Sequence, residues 1–401
     1  MSARLVAVTG LGAVTALGPD LESFARGLRA GTCGVRDVTL FDASAYRTKL
    51  AAQAPEPAPS AITDEAAAAS RPDQFGLQAA REAIAHAGLD GRADLLARAA
   101  LVVGTGTGGA TITEGYYRAW SRGEQRPARD LVPHQPCSVT DLIARHLDVR
   151  GPRTTIMTAC SSSATAVGYA ADRIRLGHAD VALAGGAEGL CRLTFAGFAS
   201  LRATSTEPCR PFDAERKGLN LGEGAGMLVL EEYEHARARG AEVLAIFAGY
   251  GVTADAHHMT APHPEGDGAA RAMRAALADA GLDASQVGYV NAHGTATPYN
   301  DSAETAAIKA VLGARAPSVP VSSIKSMVGH TLGAAGAIEA VASVLTLARN
   351  FIPPTVNLRT PDPAFGLDYI PGAARDVKVD VVLSNSFAFG GNNTTLAFKR
   401  I

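Results

Sequence analysis

Cys160 closes the run Thr154-Thr155-Ile156-Met157-Thr158-Ala159 and is followed by Ser161-Ser162-Ser163-Ala164, so a strand-like stretch turns at a thiol into a small-residue helix. That helix, expected over 164–176, leaves its first N–H groups without intrahelical acceptors and points the positive end of its dipole at the sulfur. Both effects favour a thiolate and supply donors to a negative oxygen formed beside it. The sequence therefore predicts a nucleophile of lowered pKa. A plain core cysteine is the ordinary alternative, but the crowding of Ser, Thr and Ala at the bend favours the nucleophile.

His293, in Ala292-His293-Gly294-Thr295-Ala296-Thr297-Pro298, and His330, in Met327-Val328-Gly329-His330, carry imidazoles suited to proton transfer near neutral pH. Either alone reads equally well as a turn histidine. Lys325 lies between the apolar 319–324 stretch and a helix of small residues. Buried there, it needs a carboxylate, which Glu339 or Glu304 could provide; Asp301 and Glu304 could instead be charges at a helix N-terminus. Phe389 sits in the turn Ser386-Phe387-Ala388-Phe389-Gly390-Gly391. Phenylalanine there is more often core, yet its backbone N–H could join that of Cys160 in an oxyanion hole.

The elements that must position these groups occur twice. The stretch from Arg81 to Asp90 resembles that from Arg274 to Asp283, with Gly88 and Gly281 offset by 193 residues, and each reads as a helix stopped by glycine. A strand and a Gly/Thr turn follow in both places, at 102–107 and 289–297. The Cys160 strand is then matched by 319–330, and 181–186 by 381–386. Strands alternating with helices predict an α/β fold of mostly parallel sheets, with ligands at the carboxyl ends of strands. Cys160, His293, Lys325, His330 and Phe389 all fall just beyond such strands and so face one crevice. The chain divides into a half at 1–250 carrying the nucleophile and a half at 251–401 carrying the histidine pair and the lysine. The Pro/Ala-rich segment 51–61 reads as a surface loop.

With 401 residues, 47% of them hydrophobic, there is material for a large core. A net charge of −2 argues against wholesale nucleic-acid binding. Five cysteines without CxxC spacing suggest neither a disulfide framework nor a metal site, and fit a reducing cytosol. The start of the chain lacks the pattern of a secretory signal. No run reaches the ~18 apolar residues of a membrane span, so a soluble, cytoplasmic protein without membrane contact is expected.

Taken together, Thr158-Ala159-Cys160-Ser161-Ser162, Arg210-Pro211-Phe212-Asp213, Gly222-Glu223-Gly224-Ala225-Gly226, His293-Gly294-Thr295-Ala296-Thr297-Pro298, Lys325-Ser326-Met327-Val328-Gly329-His330-Thr331 and Asn385-Ser386-Phe387 with Phe389-Gly390-Gly391 resemble an elongating β-ketoacyl-acyl-carrier-protein synthase along the whole chain. The Cys-His-His combination separates it from thiolases, which use a second cysteine, and from priming synthases, which have asparagine at one histidine position. The resemblance implies a thiolase-like duplicated αβαβα layered fold. It implies that Cys160 accepts an acyl chain, that His293 and His330 stabilise the enolate formed from a malonyl unit, and that the N–H groups of Cys160 and Phe389 hold the oxyanion. Lys325 would order the site through Glu339, and Thr295 and Thr297 would bind the phosphopantetheine arm. Thr107 at the pocket neck and Phe389 as a gate would meet the acyl chain.

No cofactor of its own is implied, since the phosphopantetheine belongs to the acyl-carrier-protein substrate. A homodimer is expected, a heterodimer with a related subunit being compatible, and Arg118, Arg122, Arg126, Arg129 and Arg202 are candidates for carrier docking. The chain departs from the pattern at Ala388, where glycine is usual, at Asn392, and at Tyr299-Asn300. Thr107 stands where a bulkier aliphatic residue is common, which predicts a wider, slightly polar neck, and Ala388 predicts a stiffer gate. Primary fatty-acid synthesis and a specialised polyketide or polyene pathway both fit. A silent chain-length partner of the same fold is the alternative, and retention of Cys160, His293, Lys325 and His330 argues against it.

Overall fold

The computed structural model describes residues 4–57 and 69–401. Ten strands form one sheet: β1 (Val6–Val14), β2 (Ala100–Gly104), β3 (Arg153–Ile156), β4 (Val181–Glu188), β5 (Gly224–Glu232), β6 (Ala245–Ala254), β7 (Tyr289–Asn291), β8 (Val321–Ser322), β9 (Val381–Phe387) and β10 (Asn392–Lys399). Their spatial order is β8-β7-β9-β10-β6-β1-β5-β4-β2-β3. Read outward from the β1–β6 contact, the first half runs 1-5-4-2-3 and the second runs 6-10-9-7-8, the same path walked twice. The fold is the thiolase-like duplicated αβαβα arrangement.

The sheet is less parallel than the strand–helix alternation predicts. Pairings β2–β3, β2–β4, β7–β8 and β7–β9 are parallel, whereas β1 with β5 and β6, β4 with β5, β9 with β10, and β10 with β6 are antiparallel. Only the outer strands of each half are reached by helical crossovers, and these are the strands that deliver the chemistry. Register brings their ends level: Gly104 lies opposite both Ile156 and Gly186, and Asn291 lies opposite both Ser322 and Ser384. Residues immediately beyond these positions share one rim.

Helices Ser162–Arg175 and Ala335–Arg349 pack together in the middle layer, while Arg71–His86 and Asp267–Asp279 cover the outer faces. The expected 164–176 helix starts two residues earlier because Ser162 and Ser163 join its first turn. Close approach demands glycine at two points: a Cβ on Gly104 would meet the Ser163 nitrogen at 2.3 Å, and one on Gly336 would meet the Ala164 nitrogen at 2.7 Å. Arg71–His86 and Asp267–Asp279 are both followed by a left-handed glycine, Gly88 (φ 65°) and Gly281 (φ 62°), which is the repeat seen in the sequence.

Ala335–Arg349 is mostly apolar and buried on every side from Ala335 to Leu347, Glu339 included. With its preceding turn, 332–349, it is long and apolar enough to cross a membrane, contrary to the reading that no run is, yet 89% of this stretch is buried in the fold. Segment 51–61 is also not simply a surface loop. Ala51 and Ala52 belong to the buried strand Leu50–Ala52 and pair beside Leu221 and Gly222, while 58–61 lie outside the described residues.

Candidate active site

The bend at Cys160 is held by local hydrogen bonds. Ala159 adopts φ 53°, the left-handed region that side chains rarely occupy. The Ser161 and Ser162 hydroxyls donate to the carbonyls of Thr158 (2.8 Å) and Ala159 (2.6 Å), and the Thr158 N–H donates back to Ser162 Oγ (2.9 Å). This places Cys160 at the start of the middle-layer helix with 6% of its surface exposed.

Burial reverses the expectation of an acidified thiol. Desolvation pushes Cys160 up to about 11, while the Lys325 charge and a hydrogen bond from the Phe389 N–H pull the other way without prevailing. A thiolate buried this deeply loses more hydration than its neighbours return. The resting nucleophile is a thiol.

His330 Nε2 lies 3.1 Å from Cys160 Sγ, and the Leu332 N–H donates to His330 Nδ1 at 3.3 Å. Lys325 Nζ lies 3.2 Å from His293 Nδ1. An ammonium and an amide can only donate, so both Nδ1 atoms accept and both neutral rings carry their proton on Nε2. The rings stand edge to face with centroids 5.3 Å apart. Burial first and Lys325 second hold both histidines well below their ordinary pKa, so they stay neutral. Two N–H donors thus converge beside a thiol.

Lys325 and Glu339, both fully buried, form an ion pair through Glu339 Oε1. Burial raises Glu339 to about 7 against the pull of Lys325. Of the two carboxylates the sequence offered to Lys325, Glu339 is the partner. Glu304 instead accepts the backbone N–H groups of His293 and Gly294, each at 2.8 Å, and the Asn385 amide at 3.1 Å. Asp301 accepts from Ala296 (3.1 Å) and Phe212 (2.8 Å). Neither is merely a helix-terminal charge: both fasten the His293 turn, and burial raises them to about 7 and about 6.

A narrow cavity of about 50 Å³ joins Cys160, His293, His330, Thr295, Thr297 and Phe389. Outside it opens a basin of about 550 Å³ that shares Thr297, Thr260 and Phe389 and adds Leu201, Arg202, Lys217, His258 and Tyr299. Thr295 and Thr297 are joined through their hydroxyls at 2.8 Å. The Phe389 ring, half-buried, stacks on Phe198 with centroids 5.7 Å apart. Ala388 has φ −106°, an extended conformation open to any residue, so its Cβ imposes no backbone strain.

Thr107 stands apart from this cavity. Its hydroxyl donates to Glu188, a carboxylate with no exposed surface that also accepts N–H groups from Gly106 (2.7 Å), Thr107 (3.1 Å) and Gly333 (3.0 Å). Sequence reading missed Glu188, which looks like one more residue at the end of a buried strand. It also missed Asp255 and Asn393, which line the inner cavity and are joined at 2.7 Å. Of the five arginines proposed for docking, Arg202 lines the outer basin. Arg118, Arg122, Arg126 and Arg129 belong to helix Ala110–Ser121 and the turns after it, and line neither the cavity nor the basin.

Residues 3–236 match the model of the beta-ketoacyl synthase N-terminal domain and residues 244–359 that of the C-terminal domain. The chain is 42% identical over 411 residues to the 3-oxoacyl-acyl-carrier-protein synthase 2 of Synechocystis sp., covering 99% of this chain and 98% of that protein. The solved ishigamide ketosynthase/chain length factor superposes with a TM-score of 0.94 at 38% identity, all of both chains being covered. A type II PKS acyl-carrier protein in complex with its ketosynthase bound to the hexaketide gives 0.90 at 32% identity, again over the full length of both chains.

Proposed function

The chain belongs to the beta-ketoacyl synthase family, and on that premise we propose the reaction steps that its residues perform. The enzyme is an acyl-carrier-protein condensing enzyme that elongates an acyl chain by decarboxylative Claisen condensation with malonyl-acyl-carrier protein. Cys160 exchanges its S–H proton for the acyl group of the first carrier thioester, releasing the carrier thiol. A malonyl thioester then loses carbon dioxide, and its enolate oxygen is held by the Nε2–H groups of His293 and His330. The enolate carbon attacks the Cys160 thioester carbonyl, whose oxygen is received by the N–H groups of Cys160 and Phe389. Collapse expels the Cys160 sulfur, which takes up a proton, and frees the lengthened β-keto product on its carrier.

The observation that carries this reading is the pair of Nε2–H donors converging beside a neutral thiol. A donor pair stabilises an oxygen anion, whereas a base pair would have to offer lone pairs. Lys325 acts through the acceptor state it imposes on His293, and Glu339 fixes Lys325. Thr295 and Thr297 line the path a pantetheine arm would take and Phe389 gates it; Thr107, outside the inner cavity and bound to Glu188, would meet the acyl chain beyond that cavity, at the neck of the acyl pocket. The phosphopantetheine is the carrier protein's own, and the reading gives the enzyme no resident cofactor. The acidic carrier would dock on the basin rim at Arg202 and Lys217. The division of labour is between a nucleophile half and an enolate half; the expected boundary at 250/251 falls inside β6 (Ala245–Ala254), which begins the second half of the sheet, so the enolate half starts just before Ala245.

The reading includes a cytoplasmic homodimer joined at the open edge of β3, where the half-exposed strand is followed by Met157 at 52% exposure. An unpaired strand edge is a ready template for a second copy. The decisive experiment is intact-mass analysis after incubation with acyl-carrier thioesters: one acyl mass is expected on wild type and none on Cys160→Ala. Labelling that persists in Cys160→Ala would sink the assignment.

A further inference from the structure

Cys160 Sγ and one ring nitrogen each of His293 and His330 lie within 4.8 Å of one another, and all three residues are buried. A thiolate and two imidazoles are a ligand set for zinc, whose catalytic sites use three protein ligands and leave a fourth position open. Ligand atoms around a tetrahedral ion stand about 3.5 Å apart, so small side-chain movements would close this cluster on one. The fourth side faces the cavity. Judged by ligands alone, the nucleophile is exposed to capture by any thiophilic cation.

The surroundings of the rings are wrong for a metal. A ligating histidine donates its other ring N–H to a carboxylate or carbonyl, which leaves the lone pair on the nitrogen that faces the ion. Here the polarity is inverted: Lys325 at 3.2 Å and the Leu332 N–H at 3.3 Å donate to the Nδ1 atoms. Protons therefore sit on the two nitrogens that a metal would need. The ammonium of Lys325 also adds a positive charge behind His293.

Glu339 shows how little would have to change. Its Oε1 holds Lys325, while its Oε2 is buried and has no hydrogen-bond partner among the described residues. Without the ammonium, His293 could carry its proton on Nδ1 and face Glu339 across the vacated position, and a bound cation would in turn favour the carboxylate form of Glu339, the carboxylate–histidine arrangement of a metal site. The Leu332 contact is the long one, and ligation by His330 would break only that bond.

We infer that Lys325 keeps the Cys160–His293–His330 cluster from capturing a thiophilic divalent cation, and that the same three side chains bind zinc once its charge is removed. Binding would release the Cys160 proton and form a metal–sulfur bond, with no change of oxidation state. The inference rests on the donor geometry rather than on the condensation reaction.

Metal-free full-length wild type, Lys325→Met and Lys325→Arg are titrated with Cd²⁺, reading the thiolate-to-metal charge-transfer absorption, and then with Zn²⁺ in competition. Lys325→Met is expected to bind one ion per chain, with the band abolished by adding Cys160→Ser. Wild type and Lys325→Arg are expected to show no band at the same concentration. Adding Glu339→Gln to Lys325→Met should weaken binding by about tenfold or more. A wild-type band matching that of Lys325→Met overturns the inference, as does a folded Lys325→Met without one. Should Lys325→Met fail to fold, Lys325→Gln carries the same comparison. Since no acyl substrate is used here, acyl loading of Cys160 and its absence in Cys160→Ala test the condensation reading separately.

Discussion

His330 Nε2 stands 3.1 Å from the Cys160 sulfur while the Leu332 N–H occupies its Nδ1. The ring is thereby a donor toward the reacting atoms and cannot, in this tautomer, withdraw the thiol proton. His330→Ala should lower condensation by roughly 10²–10³-fold, the range for loss of one such donor, while acyl loading of Cys160 stays within a few-fold of wild type. His330→Gln, which keeps an N–H donor, should recover part of the loss. Single-turnover rates for each half-reaction decide this, and an equal fall in both would return His330 to the role of base.

Cys160 is pushed up to about 11 by burial, so its thiolate is scarce at neutral pH and grows as pH rises toward that value. Iodoacetamide labelling of Cys160, followed by mass spectrometry, should accelerate about tenfold per pH unit above neutrality, in proportion to the thiolate. Lys325→Met removes the largest influence favouring the thiolate, so its profile should move to higher pH. A plateau near pH 8 would mean that the helix dipole outweighs burial after all.

Glu304, raised to about 7 by burial, must be read with its sign. An acid whose folded pKa exceeds its unfolded one contributes stability that is complete at low pH and lost as pH rises, here between about 4.5 and about 7. Glu304→Gln abolishes that dependence while keeping one acceptor oxygen. Wild type should therefore lead the variant in urea midpoint most at the acid end of this window and least at its alkaline end. Glu304→Ala, which strips the N–H groups of His293 and Gly294 of their acceptor, should cost about 2–4 kcal/mol. A wild-type lead that grows with pH would refute the assignment.

Thr107 donates its hydroxyl to Glu188, which separates two effects that the sequence could not. Thr107→Val keeps the size and loses the donor, so stability should fall by about 1 kcal/mol with chain selectivity little changed. Thr107→Ile adds bulk and should slow loading of polyunsaturated chains relative to short saturated ones. If Thr107→Val alone shifts selectivity, the hydroxyl and not the volume reads the chain.

Light scattering should give twice the chain mass at micromolar concentration. Thr155→Pro should shift the protein toward monomer, because the register turns Thr154 toward the neighbouring strand β2 and leaves the Thr155 N–H at the open edge of β3; a wild-type monomer would dismiss the proposed β3 interface.

Much of this was legible because the repeat, the strand ends and the small-residue helix entrances are local patterns. Cys160, His293, His330 and Lys325 each follow a short apolar run, and register brings those run ends level. What stayed hidden depended on contacts between distant segments. Nothing near Glu188 in the chain announces that Gly106, Thr107 and Gly333 will donate to it. Likewise, the choice between Glu304 and Glu339 as the partner of Lys325 is made by helix packing, not by spacing. The thiol pKa was misjudged because a helix terminus is visible in sequence and the depth of burial is not. The antiparallel middle of the sheet was missed because β5 and β10 return without a crossover helix.

The pairing of β1 with β6, Val6 opposite Phe247 and Val8 opposite Ala245, gives the molecule a keel. Two halves riveted by backbone hydrogen bonds along their shared spine cannot hinge apart like a clamshell without tearing the sheet. On the proposed reading, passage to Cys160 would fall to short segments on the rim. The glycine turn after Phe389 is held to the 255–259 segment by hydrogen bonds from the Gly390 N–H to the Met259 carbonyl (2.8 Å) and from the Asp255 N–H to the Gly391 carbonyl (2.9 Å). The gate we propose at Phe389 would thus span only a few residues, while one continuous sheet carries the strands that lead to the histidines and to the sulfur.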